Sequence, residues 1–180
     1  MTRQMLLHAG ADVTADRYPF HHRSEVVVAA DVPRLFALLD DHRRLAAHME
    51  KPSMLMAGAT MHVETDALKG QAVGSLIRIT GRVCGINLAV EEVVTERLAP
   101  WHKTWETRGE PRLLVIGAYR MGFTISPRGS RSHLVVFIDY QLPQSGFARI
   151  LGLLFGRTYA AWCTRRMTGD AAAAMAGVAA

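Results

Sequence analysis

Between Thr60 and Leu142 six runs of strand-forming residues follow one another with only short turn-forming links, and no other feature of the chain limits its fold so strongly. The runs are Thr60 to Ala67, Gly74 to Val83, Ile86 to Arg97, Pro100 to Arg108, Leu113 to Ser126 and Ser132 to Leu142. Between them lie Lys69-Gly70, Cys84-Gly85, Ala99-Pro100, Gly109-Glu110-Pro111 and Pro127-Arg128-Gly129-Ser130, which supply the left-handed or fixed-φ backbone that turns require. Strands joined so closely pair as antiparallel neighbours, because a parallel return needs a crossover of a dozen or more residues. The pattern predicts a meander.

The flanks complete the element order. Residues 1 to 20 carry neither helical nor strand periodicity and read as an N-terminal arm, followed by a single domain over 21–180. Ser24 to Ala30 is a β-branched run and predicts a first strand. Asp31 is placed to cap a helix with Pro33 near its first turn, where a missing N–H costs nothing. Leu35, Phe36, Leu38 and Leu39 give that helix its apolar side; Asp40-Asp41-His42 breaks it, and a second short helix is expected over Arg43 to Met49. After Pro143 a helix opens at Ser145-Gly146 and meets no breaker until Gly169. Phe147, Ile150, Leu151, Leu154, Thr158, Ala161 and Trp162 recur on it at three- and four-residue spacing, which predicts one broad buried face. Seven antiparallel strands and one long helix bury that face efficiently when the twisted sheet curls and the helix lies in its concave side. The expected class is therefore α+β: a helix-grip fold, with a curved seven-stranded antiparallel sheet around a long C-terminal helix and two short helices after strand 1.

Composition narrows the function classes. A chain of 180 residues with 49% hydrophobic and 21% charged residues buries a core without disulfide or metal support. Only two cysteines are present, Cys84 in a link between strands and Cys163 on the long helix, so a reducing cytoplasmic setting is expected, although their pairing is left open. The opening Met-Thr-Arg-Gln-Met-Leu-Leu turns polar at His8 and lacks the apolar core of a secretory signal. Phe147 to Thr164 is interrupted by Arg149 and Arg157, which argues against a membrane span. The net charge of +5 is spread over scattered arginines with no basic run, so no nucleic-acid partner is expected.

Chemistry-bearing motifs are sparse. The eight histidines show no metal-ligand spacing, and no nucleophile elbow, phosphate loop or dinucleotide fingerprint occurs, so neither a metal nor another cofactor is expected. What remains is an apolar cavity, since one helix cannot fill a strongly curled sheet. Strand alternation points Ile77 and Ile79, Trp101 and Trp105, Val115, Tyr119, Met121, Phe123 and Ile125, and Val136, Ile138 and Tyr140 inward. The helix adds Leu154, Thr158 and Trp162, with Arg157 as a clamp for a carboxylate or phosphate. Of these, Ile77, Ile79, Trp105, Tyr119, Met121, Phe123, Val136, Ile138, Tyr140, Leu154, Arg157, Thr158 and Trp162 form the candidate ligand-binding set. Tyr119, Tyr140 and Tyr159 are the phenols that could offer a hydroxyl to a ligand.

Val26-Val27-Val28-Ala29-Ala30-Asp31-Val32-Pro33, continuing to Asp41, resembles the opening of the START-like and polyketide-cyclase superfamily, also called SRPBCC or Bet v 1-like. Glu91-Glu92-Val93-Val94 followed by Pro100, Lys103 and Trp105 resembles its middle hairpin, and Leu153-Leu154-Phe155-Gly156 with Trp162 to Met167 its C-terminal helix. The resemblance spans residues 22 to 172 and rests on packing motifs. It implies binding of a small hydrophobic ligand, such as a lipid, a polyketide-like molecule or an aromatic metabolite. The alternative is a cyclase, aromatase or dehydratase using the same cavity, with a catalytic residue that no motif identifies. The oligomeric state, monomer or homodimer, is open.

Overall fold

The structure is a computed structural model and describes residues 17–42, 60–83, 85–144 and 146–177. Its elements are strand β1 (Phe20–Val28), helix α1 (Val32–Asp40), strands β2 (Thr60–Thr65), β3 (Leu76–Val83), β4 (Ile86–Leu98), β5 (His102–Arg112), β6 (Tyr119–Arg128) and β7 (Arg131–Tyr140), and helix α2 (Gly146–Gly177). The seven strands form one antiparallel sheet in the order β1-β7-β6-β5-β4-β3-β2. The predicted meander is present, and β1 closes it by pairing with the last strand. The second short helix expected at Arg43 to Met49 lies outside the described residues.

Local chemistry explains the joints. The Asp31 carboxylate accepts from the Arg34 backbone N–H at 2.8 Å, and Pro33 sits in the first turn of α1. The β2–β3 link is tied by Asp66, which accepts from the Leu68 and Leu76 amides and from the Ser75 hydroxyl. Two register shifts between β4 and β5, at Ala89/Glu91 and Val94/Glu96, bend the long middle hairpin and help curl the sheet.

The helix α2 lies against β1 and β7 and touches α1. Two pairs of short polar side chains tie it to the edge strand: His22 Nδ1 to Thr164 Oγ1 at 2.9 Å, and Ser24 Oγ to Thr168 Oγ1 at 3.1 Å. Its buried side differs from the one that periodicity suggested. Gly152, Gly156, Ala160, Ala161, Cys163, Thr164, Met167, Thr168, Ala171 and Met175 face the sheet, whereas Phe147, Ile150, Leu153, Leu154 and Phe155 are exposed. A Cβ on Gly152 would stand 2.7 Å from Pro143 Cδ, and one on Gly156 would stand 3.0 Å from the Val115 carbonyl oxygen. The first turns of the helix thus approach the sheet end through glycines, and the bulky residues of those turns are left on the other side. Among the described residues, no helix is long and apolar enough to cross a membrane.

Candidate functional site

Register places the inner face in rows. One row crosses the whole sheet: Thr65 opposite Ile77, Ile77 opposite Glu92, Glu92 opposite Thr107, Tyr119 opposite Tyr140, and Tyr140 opposite Phe20. The Tyr119 backbone N–H donates to Thr107 Oγ1 at 3.0 Å and joins the two halves of that row. The next row is apolar, with Trp105 opposite Met121 and Met121 opposite Ile138; the row after it sets Lys103 opposite Phe123 and Phe123 opposite Val136. Trp105, Phe123, Ile77, Ile79, Val136 and Ile138 are each at most 2% exposed.

Glu92 therefore interrupts a hydrocarbon wall near its middle, and it is buried. Isolated, such a carboxylate would be very costly. Two side chains meet it: the Tyr119 hydroxyl donates to Oε1, and His42 Nε2 lies 3.1 Å from Oε2. The His42 ring stands edge-on to Trp105, with centroids 5.0 Å apart, and is also buried. Its second nitrogen, Nδ1, has no hydrogen-bond partner among the described residues. The pair shares a proton in one of two ways, as carboxylate with an Nε2–H donor or as carboxylic acid with an Nε2 acceptor. Nδ1 then presents a lone pair or a proton to whatever meets it.

Neighbouring groups shape this environment. Burial, the Glu92 charge and the hydrogen bond to Glu92 raise the Tyr119 hydroxyl well above the ordinary phenol value, so Tyr119 acts as a donor. Tyr159 and Cys163, one turn apart on α2, are raised as well, first by burial; the Cys163 thiol is pushed up to about 12. A second charged cluster adjoins the first. Lys103, fully buried, donates to the Asp40 carbonyl oxygen at 2.9 Å and stands 3.3 Å from the Asp40 carboxylate, which Arg97 clasps from the other side at 2.8 Å. Burial pushes the Asp40 carboxyl up, but the bonds from Arg97 and the Lys103 charge bring it below its ordinary value. Burial lowers Lys103, and Asp40 offsets part of that. Among the described residues no three metal-ligating side chains gather in one place.

No family model and no curated protein sequence matches the chain. Solved structures do. Norcoclaurine synthase from Thalictrum flavum, as a point mutant with a transition-state analogue, superposes with a TM-score of 0.59 at 16% identity, covering 89% of this chain and 96% of that one. Protein CV1439 from Chromobacterium violaceum gives 0.59 at 17% identity (87% and 97% covered), and Ms6760 from Mycobacterium smegmatis 0.58 at 12% (88% and 92%). The chain has the Bet v 1-like helix-grip fold. Another structure of the Thalictrum synthase, 18% identical, is a complex with dopamine and hydroxybenzaldehyde.

Within the helix-grip frame the sequence-predicted residues divide cleanly. Ile77, Ile79, Trp105, Tyr119, Met121, Phe123, Val136, Ile138 and Tyr140 all sit buried on the inner face, as does Ile125. Leu154, Arg157 and Thr158, expected on the inward side of the helix, point outward because the glycines occupy that side. Trp162 is half-buried beside Tyr159, ring centroids 5.9 Å apart. Trp101 lies in the β4–β5 turn and is 44% exposed, and Val115 falls in the β5–β6 connection rather than on β6. The residues that pattern reading missed are Glu92, His42, Lys103 and Asp40. Glu92 had a signal: Leu88, Val90, Glu92 and Val94 share one parity of β4, and a lone carboxylate in such a series is an inward charge.

Proposed function

We propose that the protein binds a small hydrophobic molecule, such as a lipid, a polyketide-like compound or an aromatic metabolite, between the inner face of the sheet and α2. Residues 21–180 act as one cytoplasmic ligand-binding domain behind an N-terminal arm. Ile77, Ile79, Trp105, Met121, Phe123, Val136 and Ile138 supply the apolar wall, and Tyr119 and Tyr140 its phenols. The observation that carries this reading is the Tyr119–Glu92–His42 constellation, whose Nδ1 has no partner among the described residues, set in the largely apolar inner face. Such sites recognise a mostly apolar ligand by one or two placed polar groups. The aromatic complex of a protein with the same fold supports the ligand class. Native mass spectrometry of the freshly purified chain tests it: the account expects a bound apolar compound lost on denaturation. A bare mass, together with indifference to hydrophobic fluorescent probes, would remove the reading.

The same constellation favours a second reading, an enzyme of the cyclase, aromatase or dehydratase kind. A carboxylate that orients an imidazole whose far nitrogen meets no partner among the described residues is the arrangement of a general base. In that role His42 Nδ1 would accept a proton from carbon or oxygen of the bound molecule, with Glu92 stabilising the imidazolium and Tyr119 fixing Glu92. Exchange of the α-protons of an aryl ketone such as tetralone, followed by NMR in heavy water, separates the two readings. The enzymatic one expects exchange above background that Glu92→Gln lowers by about 10²-fold; a ligand carrier expects binding without exchange.

A further inference from the structure

The first three turns of α2 present an apolar face to the outside. Phe147, Ile150, Leu153, Leu154 and Phe155 are 66%, 56%, 65%, 65% and 52% exposed. Single exposed apolar side chains are ordinary, but five within nine consecutive residues make a patch that monomeric proteins rarely leave open to water. The geometry is enforced, because Gly152 and Gly156 press against Val115, Leu142 and Pro143 and leave the large side chains nowhere else to go. Charge on this stretch has one sign. From Gln141 to Gly169 there is no Asp or Glu, whereas Arg149 and Arg157 stand exposed among the apolar residues, and neither has an ion-pair partner among the described residues.

We infer that this face docks on an anionic lipid surface, the apolar side chains entering the headgroup boundary and Arg149 and Arg157 meeting lipid phosphates. An amphipathic helix lying in the interface plane has this composition: aliphatic and aromatic residues on one side, arginine at its margins, no acidic group. A second copy fits less well. Two-fold pairing of such faces would set Arg149 and Arg157 against their own copies with no carboxylate on either helix segment to offset them. The inference is independent of the ligand reading, since it uses exposed side chains of the first turns of α2 and none of the buried inner face of the sheet.

Vesicle flotation with the full chain tests it, using phosphatidylcholine alone and phosphatidylcholine mixed equally with phosphatidylserine. The protein should float with the mixed vesicles, remain behind with the neutral ones, and detach in about 1 M salt, where the screening length shrinks to ~3 Å. Arg149→Gln with Arg157→Gln should weaken partitioning by about 25-fold, from roughly fivefold per arginine near such a surface. Ile150→Glu with Leu154→Glu should abolish it, with an unchanged thermal midpoint showing that the surface variants are folded. No flotation of the wild type, flotation untouched by either double variant, or a dimer in sedimentation equilibrium that Ile150→Glu with Leu154→Glu dissolves would each overturn the inference.

Discussion

At the scale of single residues, the account turns on Glu92. Its two oxygens satisfy Tyr119 and His42, so Glu92→Leu leaves two buried polar groups without partners, at about 1–3 kcal/mol each, while Glu92→Gln keeps an acceptor for Tyr119. Urea denaturation at neutral pH should find the leucine variant less stable than the wild type by about 3–5 kcal/mol and the glutamine variant by roughly 1–2 kcal/mol. Equal stability of the two variants would show that the carboxylate has no such role. Cys163 yields a prediction in pH. Its thiol is held up from 9.0 to about 12, first by burial and then by the Glu92 charge. The folded chain therefore keeps a proton that the unfolded chain releases, so stability is full below pH 9.0 and falls as pH rises toward about 12. The slope is up to ~1.4 kcal/mol per pH unit for each such group, with Tyr119 and Tyr159 joining above the ordinary phenol range. Chemical denaturation across that window should show the decline, and Cys163→Ala should make it shallower; a flat profile would contradict the burial of the thiol.

At the scale of elements, strands were more legible than the helix. Alternation marks which side of a strand is wet, and Tyr119, Met121, Phe123 and Ile125 on β6, like Val136, Ile138 and Tyr140 on β7, are buried as their parity indicates. On α2 the same logic misplaced the buried side, because close packing there uses the smallest residues and the apolar period follows the outside. Leu154 and Thr158 were drawn inward by a periodicity whose real partner is solvent or a surface. The cluster at His42 was hidden for another reason: it joins β4, β6 and the segment after α1, residues far apart in the chain that only the curl of the sheet brings together. Two glycines of α2 test the packing. A Cβ at Gly152 collides with Pro143, whereas nothing lies within 4 Å of one at Gly169. Gly169→Ala should stabilise the protein by about 0.5–1 kcal/mol, as an alanine does in an open helix position, while Gly152→Ala should lower the thermal midpoint. The same sign for both would mean that α2 does not approach the sheet through its glycines.

At the scale of the molecule, α2 leans chiefly on β1 and β7, and the polar row through Glu92, Thr107 and Tyr119 lies on the strands beyond β7. Element order alone carried the fold, because six linked antiparallel strands with one helix have few ways to bury both. The ligand is another matter: apolar walls encode shape through packing, and no motif names what fills them. The most direct measurement is energy transfer from Trp105, buried on the inner face, in a Trp101→Phe, Trp162→Phe protein that keeps this single tryptophan. Titration with anilinonaphthalene sulfonate should quench Trp105 and sensitise the probe in a saturable, stoichiometric manner, because a molecule between sheet and helix sits within a few ångströms of that ring. Probe emission that never saturates, or that rises while Trp105 fluorescence stays constant, would place the binding elsewhere and contradict a ligand site inside the grip.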